Sequence, residues 1–346
     1  MAAPRLTIDL DAVASNWRAM DALSGLEVQT GAVVKADAYG LGVTQVAPVL
    51  RAAGATRFFV AVAGEVAPLR HAIGPEPEIF VFAGYTEGDT DLLRQTQFRP
   101  LLNSAEQAAA FLEDHPDAPC GLQLDSGMNR LGIEPEDLPD VDLTRLDPQL
   151  IISHLACADT PNHPQNAAQL ARFRQATEGM PKDRLSLAAT GGITLGAEYH
   201  FALTRPGVGL YGGLPFARSK PVVQLDLPVL QTRDIAPGES VGYGATWIAE
   251  RPSRIATLSA GYADGLLRAL GSGVPFFHGD QSCPSVGRVS MDLITVDITD
   301  LETTPEWLTI LGPQQSIDAV AQAACTIGYE VLTALGSRYD RVYNGG

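Results

Sequence analysis

The sequence predicts an α/β protein: an N-terminal (β/α)8 barrel of the TIM type followed by a C-terminal, mainly β domain. Three observations carry this. Short apolar runs alternate with helix-like segments through the first two-thirds of the 346 residues, the pattern of repeated βα units. The candidate strands number eight, which fits a closed barrel better than an open sheet. After Gly213 the periodicity changes to two, with Pro/Gly turns between short strands.

The eight candidate strands are Ala32–Lys35, Arg57–Val62, Glu78–Ala83, Phe98–Leu102, Gly121–Asp125, Leu150–His154, Leu185–Ala189 and Leu203–Gly209. Helical patterns fall at Thr44–Ala53, Gly64–Ala72, Ser104–Asp114 and Gln165–Glu178. Ser104 reads as an N-cap, with Gln107 completing a capping box. Glu134–Asp147 is rich in proline and acid and leaves room only for a short helix. The barrel is expected over residues 10–214 and the β domain over 215–346, with Pro215–Pro221 as linker. In the second part, Val222–Leu230, Arg254–Ser259, Pro284–Arg288 and Leu293–Ile298 read as strands. Ser316–Ala324 and Glu330–Leu335 read as short helices. The opening strand, Leu6–Asp9, precedes a first helix over Leu10–Leu23 and is expected to pair with the second domain, giving that domain residues 1–9.

Composition excludes several function classes. The net charge of −16 argues against an extended nucleic-acid surface. No apolar run is long enough to span a membrane, and the N-terminus lacks a signal-peptide core. Cys120, Cys157, Cys283 and Cys325 form no C-x-x-C pair, which fits free thiols in a reducing cytoplasm. The six histidines show no metal-ligand spacing, so no metal is expected.

The residues able to carry chemistry fall at strand ends. Lys35 closes the first candidate strand, where such barrels place their active sites. A lysine held there against apolar neighbours can act as a Schiff-base amine or a general base. Tyr39 lies four residues on, where its hydroxyl can meet a phosphate. Asp125-Ser126-Gly127-Met128-Asn129-Arg130-Leu131-Gly132 follows the fifth strand and presents a guanidinium suited to a carboxylate. His154 ends the sixth strand. Thr190-Gly191-Gly192 follows the seventh and Arg205-Pro206-Gly207-Val208-Gly209 lies at the eighth, the usual phosphate end of this barrel. In the β domain, Gly261-Tyr262-Ala263-Asp264-Gly265 presents a tyrosine in a glycine-flanked turn. Gly287-Arg288-Val289-Ser290-Met291-Asp292 and Ile327-Gly328-Tyr329-Glu330 are two further dense segments. Each alone is bland, since a strand-end lysine is usually solvated and a tyrosine in a β domain is usually packed.

Taken together, in order and spacing, these segments resemble the alanine racemases, pyridoxal-phosphate enzymes of fold type III. The resemblance covers nearly the whole chain. It implies pyridoxal 5′-phosphate held by Lys35, Tyr39, Thr190, the backbone of Gly207 and Val208, and Tyr329, with Arg205 at the pyridine nitrogen. It implies Arg130 and the Met291 backbone on the substrate carboxylate, and His154 between Tyr262 and Arg205. It also implies a head-to-tail homodimer in which Tyr262 and Met291 come from the neighbouring chain.

The activity implied is interconversion of L- and D-alanine by two bases, Lys35 and Tyr262, on opposite faces of the substrate, supplying D-alanine for peptidoglycan or degrading it. A tyrosine with pKa about 10 is a poor base at neutral pH, so the Arg205 cation, relayed through His154, is expected to favour the phenolate.

Two positions depart from the family pattern. Gln123 stands where many members have a lysine, often carbamylated, and an amide there is expected to orient Arg130 by hydrogen bonding. Leu41 stands where histidine is common. Alternatives are a broad-specificity amino-acid racemase, an amino-acid decarboxylase of the same fold type, or a non-catalytic cofactor carrier. A decarboxylase would place a carboxylate where Arg205 falls, and a carrier would lack the second domain.

Overall fold

The computed structural model describes residues 3–346. The chain divides into two compact units. One holds Val13–Leu210 and Leu214–Ser219. The other holds the N-terminal stretch through Ala12, Tyr211–Gly213 and Lys220–Gly346.

The first unit is a parallel barrel. Seven strands follow one another in chain order: Ala32–Val33, Arg57–Val60, Glu78–Val81, Arg99–Leu102, Gly121–Gln123, Ile151–Ile152 and Leu185–Ser186. An eighth, Leu203–Thr204, pairs in parallel with Gln29–Thr30, which continues past Gly31 into the first strand. A parallel bridge between Ala189 and Arg205 joins the seventh strand to the eighth and completes the ring.

Strands buried on both faces must be apolar throughout. Phe58, Phe59, Val60, Ile79, Phe80 and Val81 accordingly have no solvent exposure. Phe59 stacks on Phe80 with ring centroids 5.2 Å apart and on Phe82 at 5.6 Å. Burial of these runs is the main driving force for closure.

Helices Val43–Ala53, Val66–Ile73, Thr90–Thr96, Ala105–Asp114, Pro164–Ala176 and Thr190–Leu195 cross between strands. Ser104 caps its helix, accepting from the Gln107 amide at 3.1 Å. The expected reciprocal half of the capping box is not made. The Gln107 side chain reaches one residue further back, to the Asn103 N–H at 2.8 Å, and donates to the Ala83 carbonyl at 3.2 Å. It thereby ties two strand ends together. Residues 134–147 hold only a 3-10 turn, Leu138–Asp140, and the four-residue helix Leu143–Leu146. The stretch expected as a linker is largely exposed but anchored by the buried Phe216.

The second unit is built on Val223–Ile235, a 13-residue strand. It pairs antiparallel with Arg5–Asp9, Ser253–Leu258 and Trp307–Leu311. Arg5–Asp9 in turn pairs in parallel with Asp340–Asn344. One expected strand is displaced. The ladder uses Gln281–Pro284 against Pro275–His278, and the chain then leaves it, with Ser285 making one bridge to Val296. Gly287, at φ +71°, favours a turn where the sequence pattern suggested a strand. Pro275–His278, Trp307–Leu311 and Asp340–Asn344 are strands that period-two reading passed over, because they are short or lack clean alternation. Helices Ile317–Ala323 and Gly328–Ala334 close the unit.

Candidate active site

Lys35 follows the first barrel strand directly and opens an unusual turn. Ala36, Asp37, Ala38 and Tyr39 have φ of 52°, 54°, 54° and 58°, one turn of left-handed helix without a glycine among the four. At about 1–2 kcal/mol per residue, such a turn costs on the order of 4–8 kcal/mol. It persists because its polar groups are tied down. The Ala38 N–H donates to the Val34 carbonyl at 2.9 Å and the Gly42 N–H to the Asp37 carbonyl at 2.9 Å. The Asp37 carboxylate accepts from the Val43 N–H at 2.7 Å, and Glu65 accepts from the Ala36 N–H at 2.6 Å.

The Lys35 ammonium lies 5.9 Å from the Phe82 ring centroid. Burial lowers its pKa below the ordinary value, Arg130 lowers it further, and Glu65 works in the opposite sense. An amine in this setting is closer to its nucleophilic, neutral form than a solvated lysine.

Arg130 is presented by a loop folded around one carboxylate. Asp125 accepts from the N–H groups of Gly127 at 2.6 Å, Met128 at 2.7 Å and Arg130 at 3.1 Å. Gly132 lets the return strand pass Leu124 and Asp125, where a Cβ would sit 2.7 Å from backbone. The guanidinium is exposed and makes no hydrogen bond or ion pair with another described residue. The expectation for Gln123 needs correcting in detail. Its Nε2 donates to the Leu131 carbonyl at 2.9 Å, so the amide holds the loop backbone beside Arg130 and does not touch the guanidinium.

Arg205 is 2% exposed with no carboxylate beside it. It donates to the Ser186 hydroxyl, to the Ser153 carbonyl at 2.6 Å and to the Leu187 carbonyl at 3.4 Å. Burial pushes its pKa down to about 9, which leaves it cationic at neutral pH. His154 feels burial first, then Arg205, Arg130 and Lys35, and its pKa falls to about 3. The imidazole is therefore neutral at working pH. No hydrogen bond joins it to Arg205, whose donors go to Ser186, Ser153 and Leu187. The expected hydrogen-bonded link from Arg205 to His154 is thus not made, and Arg205 reaches the imidazole only through its charge.

At the seventh and eighth strands, the Thr190 hydroxyl accepts from the N–H of Gly207 at 3.0 Å and of Gly209 at 3.3 Å. A Cβ at Gly207 would strike the Tyr39 hydroxyl. The structure therefore brings Tyr39, Thr190, Gly207 and the buried Val208 into one small region. It likewise brings Lys35, Arg130, His154 and Arg205 within electrostatic reach of one another.

Tyr262, Met291 and Tyr329 lie in the other unit, exposed at 42%, 53% and 38%. The Tyr262 and Met291 segments are neighbours: the Tyr262 N–H donates to the Ser290 carbonyl at 3.0 Å and the Ala263 N–H to the Met291 carbonyl at 2.9 Å. A Cβ at Gly261 would clash with both of those carbonyls. Two contributors escaped the sequence reading. Glu65 has no motif around it, though a glutamate opening a helix is a capping signal. Arg338 grips Asp264 and Asp292 from far along the chain, a pairing invisible to local patterns.

Fold and site together define a two-unit barrel protein with a lysine, a free guanidinium and a hydroxyl–glycine cradle at the C-terminal strand ends. The model for "Alanine racemase, N-terminal domain" matches residues 8–215, and that for "Alanine racemase, C-terminal domain" matches residues 222–343. The chain belongs to the alanine racemase family.

It is 55% identical to the alanine racemase of Dinoroseobacter shibae, over 100% of this chain and 99% of that one. It is 57% identical to that of a Jannaschia species, over 99% of both. Among solved structures, the alanine racemase of Bartonella henselae with covalently bound pyridoxal phosphate superimposes with a TM-score of 0.93. That structure is 35% identical, and the match covers 99% of this chain and 100% of that one.

Proposed function

We propose that this chain interconverts L- and D-alanine with pyridoxal 5′-phosphate. The observation that carries the reading is the juxtaposition at the strand ends: an amine of lowered pKa, Lys35, within reach of an unpaired guanidinium, Arg130. The close relation to proteins named alanine racemase supports the substrate. Neither a decarboxylase nor a carrier has comparable support, and no carboxylate accompanies Arg205.

The residues present fit the cofactor. Glycine at 207 and 209 lets a run of backbone N–H groups gather around the Thr190 hydroxyl, beside the Tyr39 hydroxyl, in a cradle that a Cβ at either position would obstruct. Such N–H clusters suit a phosphate. Tyr39, Thr190, Gly207, Val208 and Tyr329 would hold the phosphate end, Lys35 the carbonyl end, and Arg205 the ring nitrogen. Bound to an amino group, pyridoxal phosphate draws electrons from the α-carbon and makes its proton labile.

Arg130 and the Met291 backbone orient the substrate carboxylate. Lys35 Nζ removes or returns the α-proton on one face. The Tyr262 hydroxyl, from a second copy of the chain, does so on the other. The barrel unit, with Val13–Leu210 and Leu214–Ser219, thus binds the cofactor, and the β unit completes the neighbouring site of a homodimer. Exposure of Tyr262 and Met291 supports that arrangement.

A cytoplasmic setting fits the four unpaired cysteines, and no helix among the described residues is long and apolar enough to cross a membrane. D-alanine for peptidoglycan is the product role we favour.

Purified protein supplied with pyridoxal phosphate should racemise L-alanine fastest among a panel of L-amino acids. Absence of α-proton exchange on alanine in deuterated water would overturn the reading.

A further inference from the structure

We infer that Glu65 is a positioning residue for Lys35, holding in place the left-handed turn from which Lys35 projects. The inference rests on the reading of Lys35 as the cofactor lysine. Glu65 lies at the end of the second barrel strand, in the 3-10 turn Ala63–Glu65. Its two carboxylate oxygens serve two different strand ends. Oε1 accepts from the Ala36 N–H at 2.6 Å. Oε2 accepts from the Ala61 N–H at 2.7 Å and the Val62 N–H at 3.4 Å. The first strand end carries Lys35 and the second is the adjacent strand of the ring. One carboxylate thus bridges neighbouring strands where the chain on one side is strained.

The chemistry of the site requires a carboxylate. Both oxygens face N–H donors, so an amide would turn its own NH2 toward one of them in either orientation. An aspartate is one methylene too short to span the same gap. Without the bridge, the exposed Ala36 N–H is left to water, and the left-handed turn loses the bond at its first residue.

Position and charge act together. The groups facing Lys35 are Arg130 from the loop after the fifth strand, His154 from the end of the sixth, and Glu65 from the second. Arg130 opposes the charged amine, His154 is neutral, and Glu65 is the one carboxylate favouring the charge. Removing it lowers the Lys35 pKa further and releases the backbone that aims the side chain.

The test uses the full chain with Glu65→Gln and Glu65→Asp. Lys35, Lys182 and Lys220 are the only lysines, so the other two serve as internal references. In cofactor-free protein, acetic anhydride labelling across pH, read peptide by peptide in a mass spectrometer, follows Lys35 directly. Glu65→Gln should move the Lys35 profile to lower pH and leave Lys182 and Lys220 unchanged. In holoenzyme, kcat should fall roughly tenfold to a hundredfold in both variants with little change in KM, because a misplaced base loses rate and not carboxylate binding.

A Lys35 profile superimposable on wild type, with kcat within about twofold, would overturn the inference. A purely structural role would lower the melting temperature and leave the labelling profile in place, which also overturns it. If both variants fail to fold, hydrogen exchange in wild-type protein decides: the Ala36 amide should be protected, and exchange at its intrinsic rate would refute the bond. Borohydride reduction of wild-type holoenzyme separately tests the underlying reading. A pyridoxyl adduct on Lys182 or Lys220 would remove Lys35 from the chemistry, whatever the labelling shows.

Discussion

Arg338 holds Asp264 by both carboxylate oxygens, with Nε to Oδ1 at 2.5 Å and Nη2 to Oδ2 at 2.6 Å. Its remaining arm donates to Asp292 at 2.7 Å. Asp264 is buried and also accepts from the Gly261 N–H at 2.9 Å. One guanidinium therefore joins the turn carrying Tyr262 to the segment carrying Met291. Its planar fork is the reason a lysine cannot replace it.

Arg338→Lys should consequently lower kcat, by roughly tenfold if the displacement at Tyr262 is a fraction of an ångström. Asp292→Asn, which weakens only the third arm, should do less. Steady-state kinetics of the two variants provide the check. Equal effects, or kcat unchanged in Arg338→Lys, would show that the clamp does not position Tyr262.

Gln123→Ala removes the bond to the Leu131 carbonyl and loosens the loop that presents Arg130. A neutral hydrogen bond contributes about 0.5–1.5 kcal/mol, so KM for alanine should rise by up to about tenfold, with kcat nearly unchanged. Because an amide cannot be carbamylated, activity should not depend on dissolved carbon dioxide. A large fall in kcat at constant KM, or activity that follows bicarbonate, would count against this role.

His154 makes stability depend on pH in a defined direction. The unfolded imidazole takes a proton near 6.5, whereas the folded one resists until about pH 3. Between these values the unfolded chain binds a proton that the folded chain refuses, so stability is full above 6.5 and is lost as pH falls. From pH 6.5 to 5 the loss from this residue amounts to at most about 2 kcal/mol. Urea unfolding of cofactor-free protein should show His154→Gln losing less stability than wild type over that interval. Parallel losses would show that the folded imidazole takes up its proton in the ordinary range.

If Tyr262 serves the neighbouring chain, mixing inactive Lys35→Ala and Tyr262→Phe proteins should restore activity. Each mixed dimer has one site with both lesions and one with neither. Differently tagged chains report whether subunits have exchanged. Exchanged heterodimers that bind cofactor and stay inactive would show that Tyr262 works within its own chain.

Lys35, Arg130, His154, Thr190 and Arg205 were all legible in the sequence as residues at strand ends, because a barrel converts strand order into proximity. The apolar runs around them determine that order by themselves: Phe58 to Val60 and Ile79 to Val81 bury every side chain and need no distant partner to declare themselves strands. The β unit was less legible. Asp340–Asn344 shows no alternation of buried and exposed positions, and its partner, Arg5–Asp9, lies at the opposite end of the chain.

What only the tertiary structure decided is the local geometry of the candidate site. No propensity places Ala36, Asp37, Ala38 and Tyr39 in a left-handed turn, since each residue alone disfavours it. The turn is tied down by directed bonds, among them one to Glu65, in the 3-10 turn after the next strand, that local sequence does not predict. The same holds for Arg338 with Asp264, 74 residues apart. Apolar burial is additive along the chain and leaves a periodic trace in the sequence. A directed bond between distant polar groups depends on where folding has already brought them, and leaves none.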